Sequence, residues 1–516
     1  MKKLINLLML LLAFTIYSCS DLEPEFTDVI PEDQYFQNDD AFISALGAAY
    51  TNLYGFMNHG NIFSLDVTSS DEAAVTHKGP DWEDGGQWLR MHRHEFFDGE
   101  GVFGNVWNFC YGGVNTCNRL IATFETSGAD NPNAGNFISE LLVLRAYYNM
   151  ILLDVFGNVP LLKTFDVPEG FLPATETRQT VFDFVESEIL ANMGNLPRAN
   201  DLSTYGRMNY YVAQAMLSTL YLNAEVYTGT PRWQDCVNAC DSLIMDNAYS
   251  LEANYFNNFE VNNGGSAENI FAIPYDGVNA AGFNLVQMTL HYESQKTFKT
   301  VDQPWNGYCV LADFYNAFEE TDERFTGGDR GYGVMLHGPQ YDADGALLRD
   351  EADSWFEDHA FDGDARVVVF DPVINELAPG AFRDGGARMS KYEYELGTVQ
   401  HMSNDFAVYR YGEILLNKAE ALHRMTPGNG ESLDLVNMLR NRAKAAPFAA
   451  LDEDNLLAER GRELCFEAKR RADLIRFEKW DDAWWEKAVS EDYKTLMPIP
   501  ADQISLNSNL AQNPGY

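Results

Sequence analysis

Two stretches of the chain bring aromatic rings and hydroxyl-binding groups together in polar, glycine-rich sequence. The first runs from Ser69-Ser-Asp-Glu72 to Gly79-Pro-Asp-Trp-Glu-Asp-Gly-Gly-Gln-Trp88. It offers Trp82 and Trp88 as flat faces, and Asp71 and Asp81 as acceptors. In the second, Tyr292, Trp305 and Tyr308 gather around Gln303-Pro-Trp-Asn-Gly307, a turn that would present Trp305. Farther on, Gly386 to Tyr394 alternates, which on a strand puts Arg388, Ser390, Tyr392 and Tyr394 on one face. A neutral sugar needs an aromatic face for the C–H side of its ring and a few fixed polar groups for its hydroxyls. An arginine supplies a donor fork to vicinal hydroxyls. The residue types therefore point to sugar recognition, with Trp82, Trp88 and Trp305 stacking and Asp71, Arg388 and Tyr392 as the polar clamp. Packing in a core is the competing reading for each ring.

Other chemistries find less material. Asp342-Ala-Asp-Gly345 opens like a calcium loop, and Asp342, Asp344 and Asp353 could hold an ion. The spacing then fails, with Ala346 at the fifth position and Asp353 rather than Glu at the twelfth. His92 and His94 alternate, but no third metal ligand is near them in sequence. There is no Gly-x-Ser-x-Gly, no His-Glu-x-x-His and no phosphate loop. Glycoside hydrolysis needs two placed carboxylates, and with 77 acidic residues composition cannot pick a pair. The expectation is a binder without enzymatic activity or an obligatory cofactor.

The elements that would position these residues are mostly helical. Asn38 or Asp39 caps a helix to about Met57, with Phe42, Leu46, Ala49, Tyr50 and Leu53 on its packed face. Residues 58–101 read as one long irregular insertion, a length usual for functional loops. Helices follow over about 104–124, 137–156 (ended by Gly157), 179–193, 207–227 and 234–246. Two more, over 405–425 and 432–445, come after a gap. That gap, 247–404, alternates short β-prone runs with Gly, Asp and Asn. It reads as a loop-rich variable lobe laid over the helical one.

Bulk properties bound the partners. A chain of 516 residues can bury a large core, and a net charge of −41 argues against nucleic acid or an anionic membrane surface. Lys2 and Lys3 precede an apolar run to Ile16, too short to span a bilayer, which reads as a targeting segment. Cleavage after Ser18 would leave Cys19 as the site of a lipid anchor, tethering a soluble body to a membrane. Cys236 and Cys240 stand one helical turn apart and Cys110 and Cys117 two, without Cys-x-x-Cys, the pattern of small buried residues rather than a metal site.

One stretch near the end carries a specific signature. From Glu459 to Trp480, apolar residues recur at three- and four-residue steps, as on one amphipathic helix, with Glu459 in reach of Arg462 and Glu467 in reach of Arg471. Arg460, Glu463, Leu464, Glu467, Arg470, Asp473, Leu474 and Arg476 fit the run R-x-x-E-L-x-x-E-x-x-R-x-x-D-L-x-R. Leu496-Met-Pro-Ile-Pro500 and Gln512-Asn-Pro-Gly-Tyr516 follow in order. Together with ELLVLRAYYNMILLDVFGNVP, YRYGEILLNKAEAL and LVNMLRNRA, these blocks resemble the SusD/RagB family of surface glycan-binding lipoproteins of Bacteroidetes.

The resemblance implies a mainly α fold of tetratricopeptide-like helix pairs with a loop-rich variable lobe. It implies a lipoprotein signal peptide over 1–18, a lipidated tether over 19–38, a helical-repeat region over 39–246, the variable lobe over 247–404 and a C-terminal helical region over 405–516. Ser20 to Glu25 resembles the acidic signal that sends such lipoproteins to the outer face of the outer membrane. The implied role is capture of an oligo- or polysaccharide and its delivery to a SusC-like TonB-dependent transporter. A peptide-binding partner of such a transporter and a surface glycosidase remain as alternatives. Neither the sugar nor its linkage is written in the sequence.

Overall fold

In the computed structural model, residues 35–36, 38–128, 130–350 and 366–516 are described. The proposed signal peptide and Cys19 lie outside them, as does Asp353. The fold is mainly helical, with short two-stranded sheets in its loop-rich part. Among the described residues, no helix is long and apolar enough to cross a membrane.

The helical part is a series of hairpins. Helix α1 (Asp39–Tyr50) starts where the Asn38 side chain accepts from the Ala41 amide at 3.1 Å, and it buries Phe42, Leu46 and Ala49. Helix α2 (Ile62–Ser69) is buried on every side. Helices α3 (Gly101–Thr126) and α4 (Ala134–Val155) pack against each other, and α5 (Arg178–Asn192) packs on α4. Helix α4 ends at Gly157, whose φ of +72° suits a residue without Cβ. Helices α6 (Tyr210–Leu222) and α7 (Trp233–Met245) form the next pair, and α8 (Tyr411–Met425) packs on α7 and on α9 (Gly430–Arg442). One apolar core runs from α1 through α7 into residues 247–404, taking in Phe283, Val310 and Met389, and a second cluster with Leu415, Val436 and Leu439 lies between α8 and α9.

Several expectations are corrected. Residues 58–101 are not one irregular loop: they hold α2, strand β1 (Ala73–Val75) and a short helix, Gln87–Arg93. The start of the 405–425 helix is instead strand β4 (Phe406–Arg410), which pairs antiparallel with β2 (Asn269–Ile273) before α8 begins. Its Phe-Ala-Val-Tyr-Arg sequence is buried throughout, as suits a strand with both faces covered. The 207–227 helix breaks at Asn223.

The signature stretch is likewise two helices, α10 (Glu453–Leu464) and α11 (Arg470–Arg476), parted by Cys465–Lys469. Phe466 and Ala468 take positive φ in that break. The cause is electrostatic. Glu467 does not reach along a helix to Arg471; it turns inward to Arg410 Nε at 2.8 Å and to Lys391 Nζ. Arg410 Nη1 also binds Glu268 at 2.7 Å and Glu463 at 2.5 Å, and Arg324 Nη1 binds Glu459 at 2.8 Å and Glu463 at 2.9 Å. Glu459 does meet Arg462 as the spacing implied, at 2.8 Å. All these side chains are buried, so each charge must be matched in place. The motif is an ion-pair core joining the C-terminal helices to β2 and β4.

Candidate functional site

Strand β3 (Tyr308–Val310) is the element that builds the site. It pairs antiparallel with β1, with Val75 opposite Tyr308 and Ala73 opposite Val310. The segment that leaves β1 toward Trp82 and the turn that enters β3 from Trp305 therefore emerge side by side. The turn is fixed by backbone bonds: Trp305 N–H donates to Gln287 O at 2.7 Å, Asn306 to Leu290 O at 3.0 Å and Gly307 to Met288 O at 2.9 Å. Lys78, buried beneath, donates to Gly307 O at 3.3 Å and to Thr76 Oγ1 at 2.5 Å. Burial lowers its ammonium to about 8.

On this support lies a half-exposed aromatic surface. Trp82 has φ of +64°, an uncommon conformation for a bulky residue and one that structures retain where surroundings hold it. Its indole N–H donates to Trp305 O at 2.7 Å, joining the two loops. Its ring covers Gly307, where an added Cβ would lie 2.4 Å from Cζ2. The His59 imidazole stands 5.2 Å from the Trp82 ring and 5.8 Å from that of Trp305. Burial lowers His59 to about 4, so it is neutral, and its Nδ1 lies 3.1 Å from Tyr308 Oη. Tyr292 completes the group. Its hydroxyl donates to Asp81 Oδ2 at 2.6 Å, and the Arg383 guanidinium lies 4.3 Å from its ring centre. Burial and the Asp81 carboxylate push the Tyr292 phenol up, so it stays a donor. Trp82, Trp305 and Tyr292 are each partly exposed and Asp81 is exposed. Rings and carboxylate thus reach solvent from a rigid base.

The other sequence candidates are placed elsewhere. Trp88 is 2 % exposed, with its indole N–H on Asp84 Oδ2 at 2.7 Å. Tyr392 is fully buried among Phe259, Phe283 and Phe406, and its hydroxyl accepts from the Ala407 amide. Neither can stack on or clamp a ligand. Arg388 is also fully buried; it donates to Gly385 O at 2.7 Å and, through Nη2, to Asn306 Oδ1 and Arg383 O, both at 2.9 Å. It holds the Trp305 turn from behind rather than facing solvent. The run 386–394 is a strand only at Arg388–Met389, and Ser390 and Tyr394 are buried with it. Asp71 forms a bidentate pair with Arg470, at 2.7 and 2.8 Å, and lines a separate cleft with Phe314 and Trp484.

His59 and Arg383 were not singled out by sequence. His59 lies at the edge of the flagged 58–101 stretch, which is the only signal it gave. Asp342 spends Oδ1 on the amides of Asp344 and Ala346, each at 2.9 Å, as a turn-forming aspartate does. Among the described residues, no group of three or more His, Cys, Asp or Glu side chains could hold a metal. Cys110, Cys117, Cys236, Cys240, Cys309 and Cys465 are buried and unpaired.

Comparison with known proteins agrees with the mainly helical fold. The model of the SusD family matches residues 267–516. The starch-binding protein SusD of Bacteroides thetaiotaomicron is 24 % identical over 437 residues, spanning 76 % of this chain and 75 % of that protein. SusD-like protein P2 of Formosa agariphila is 22 % identical over 538 residues, 98 % of each chain. A SusD superfamily protein from Parabacteroides distasonis superposes with a TM-score of 0.73 at 20 % identity, covering 93 % of this chain and 99 % of that one. Surface glycan-binding protein A from Bacteroides thetaiotaomicron, solved in complex with laminarihexaose, gives a TM-score of 0.71 at 21 % identity, covering 92 % and 99 %.

Proposed function

We propose that this SusD-like chain captures a glycan at the cell surface on the Trp82–Trp305–Tyr292 surface, without cleaving it. The observation that carries the reading is the bond from the Trp82 indole to Trp305 O. It fixes two half-exposed tryptophans, from segments over two hundred residues apart, on one platform. Rigid aromatic faces with a few placed polar groups suit the C–H faces and hydroxyls of sugars. Asp81 and Arg383 stand where the polar clamp was expected of Asp71, Arg388 and Tyr392. The starch- and laminarihexaose-binding relatives support the ligand class.

Within the same reading, Cys19 carries a lipid that tethers the chain to the outer face of the outer membrane. The helical lobe, read as tetratricopeptide-like pairs, seats on a SusC-like TonB-dependent transporter and passes the glycan on. A loop after α4 exposes Phe165, Val167, Phe171 and Leu172, an apolar grouping of the kind that marks a protein contact.

The test is migration of the protein through gels containing a panel of plant, microbial and host polysaccharides. Retardation by one of them, without hydrolysis and lost in Trp82→Ala/Trp305→Ala, is the expected result. Retardation that survives the double substitution would move the site elsewhere, and reducing-end release abolished by one carboxylate substitution would make the chain a glycosidase.

A further inference from the structure

Asp71 leads to a second cleft, which shares no residue with the aromatic surface. That surface stands at the Val75–Tyr308 end of the β1–β3 ladder. At the other end Leu311 N–H donates to Glu72 O at 3.0 Å, and Asp71 lines one cleft with Asp313 and Phe314. Residues of α10, α11 and the loop carrying Trp484 complete it. Its volume of about 330 Å³ falls within the range of small-ligand sites, about 300–1,000 Å³. Buried Phe314, Leu457 and Leu474 give it an apolar side, and Trp484 lines it half-exposed.

The ring is held in place. The backbone N–H of Trp484 donates to Lys487 O at 3.2 Å, and its carbonyl accepts from the Lys487 amide at 3.0 Å. Lys487 Nζ donates to Asp482 O at 2.8 Å, and His92 Nε2 to Trp485 O at 2.7 Å. Lys487 Nζ also stands 4.0 Å from the centre of the Trp484 ring. It lines the neighbouring cleft and not this one, so it covers the ring from the other side.

The polar groups are fixed as well. Arg470 donates to both oxygens of Asp71, at 2.7 and 2.8 Å, and through Nη1 to Leu457 O at 3.0 Å. The Asp71 side chain is still 27 % exposed, and a carboxylate has lone pairs beyond those two bonds. An oriented acceptor beside an aromatic face is the pairing that a sugar ring needs. Arg462 is taken by Glu459 at 2.8 Å. Exposed Asp313, Asp454 and Asp482 outnumber Lys479 around the cleft, a balance that repels an anionic sugar.

We infer that this cleft is a second carbohydrate site, for one neutral pyranose ring, its C–H face on Trp484 and its hydroxyls on Asp71. It rests on the same ligand class as the proposed function and on none of its residues. The test is saturation-transfer NMR on the Trp82→Ala/Trp305→Ala protein, in which the first surface is removed. The probes are the methyl glycosides of glucose, galactose, mannose and N-acetylglucosamine. At least one should receive transfer at its ring protons with millimolar affinity, and methyl glucuronide should receive none. Adding Trp484→Ala, or Ala458→Phe to fill the cleft from α10, should each reduce the transfer at least fivefold. No transfer to any of the four, equal transfer to the glucuronide, or transfer that survives both cleft substitutions would each overturn the inference. One ring held at millimolar strength does not retard a gel. Failure of the proposed function therefore shows separately, as retardation by no polysaccharide or retardation unchanged without Trp82 and Trp305.

Discussion

The guanidinium of Arg388 donates to the side-chain oxygen of Asn306 at 2.9 Å, from a fully buried position. A residue expected to touch ligand is instead the strut behind the turn that presents Trp305. Asn306 has φ of +58° and donates through Nδ2 to Arg383 O at 2.7 Å. One buried cation thus ties the Trp305 turn to the loop that carries Arg383.

Lysine cannot reproduce that fork. Arg388→Lys should cost about 2–4 kcal/mol, since charged hydrogen bonds are each worth about 1.5–3 kcal/mol. Glycan affinity should fall in the folded fraction as well, because the turn loosens. Urea unfolding beside binding at saturating folded protein separates the two effects, and unchanged affinity would detach Arg388 from the site.

Gly307 offers a smaller perturbation. A methyl group there meets the Trp82 ring at 2.4 Å, so the indole must move. Overpacking costs about 1–3 kcal/mol, and Gly307→Ala should lower glycan affinity about tenfold, equivalent to about 1.4 kcal/mol. Tryptophan fluorescence should report the displaced ring. Binding equal to that of the parent would show that Trp82 does not stack on ligand where it stands.

The surface should be indifferent to mild acid. His59 is depressed to about 4 by burial, so it gains no charge between pH 5 and 8. Glycan affinity measured by calorimetry should be flat from pH 5 to 7, below the range in which Lys78 beneath the turn loses its proton. A loss with a midpoint near 6.5 would mean that His59 is solvated and titrates normally.

The ion-pair core makes a prediction about stability. Arg410 is the shared partner of Glu268, Glu463 and Glu467. Arg410→Met would leave those carboxylates under-compensated inside a protein of net charge −41. Breaking a buried pair from one side costs about 3–5 kcal/mol, and denaturant unfolding should show at least that. A loss under 1 kcal/mol would mean that water or other cations neutralise the cluster.

Asp66 should mark the pH profile. Its carboxyl is raised from the ordinary range to about 7 in the folded protein. Between about pH 4 and 7 the folded state holds a proton that the unfolded state has released, so stability falls as pH rises through that window. Asp66→Asn removes this slope, and its stability advantage should grow by about 2–3 kcal/mol from pH 5 to pH 8. Parallel curves for parent and variant would show that the carboxyl ionises at its ordinary pH.

Much of this protein was legible without its structure. Several helices and their ends follow from local periodicity and capping, as the Asn38 cap and the Gly157 stop show, because both depend on residues within a turn of each other. The SusD-like pattern from Arg460 to Tyr516 was readable for the same reason: fixed spacing survives in the string. Trp82, Trp305 and Tyr292 could be named because exposed rings in glycine-rich polar loops are conspicuous by composition. Tertiary structure alone decided which rings meet. The β1–β3 register sets Trp82 beside Trp305, and no local rule encodes a pairing over such a separation. It also decided the fate of the charged and hydroxyl side chains. Arg388, Tyr392 and Glu467 have the same chemistry on a surface as in a core. Only the surrounding packing, which removes water and supplies Asn306, Ala407 or Arg410 in its place, makes them struts rather than contacts.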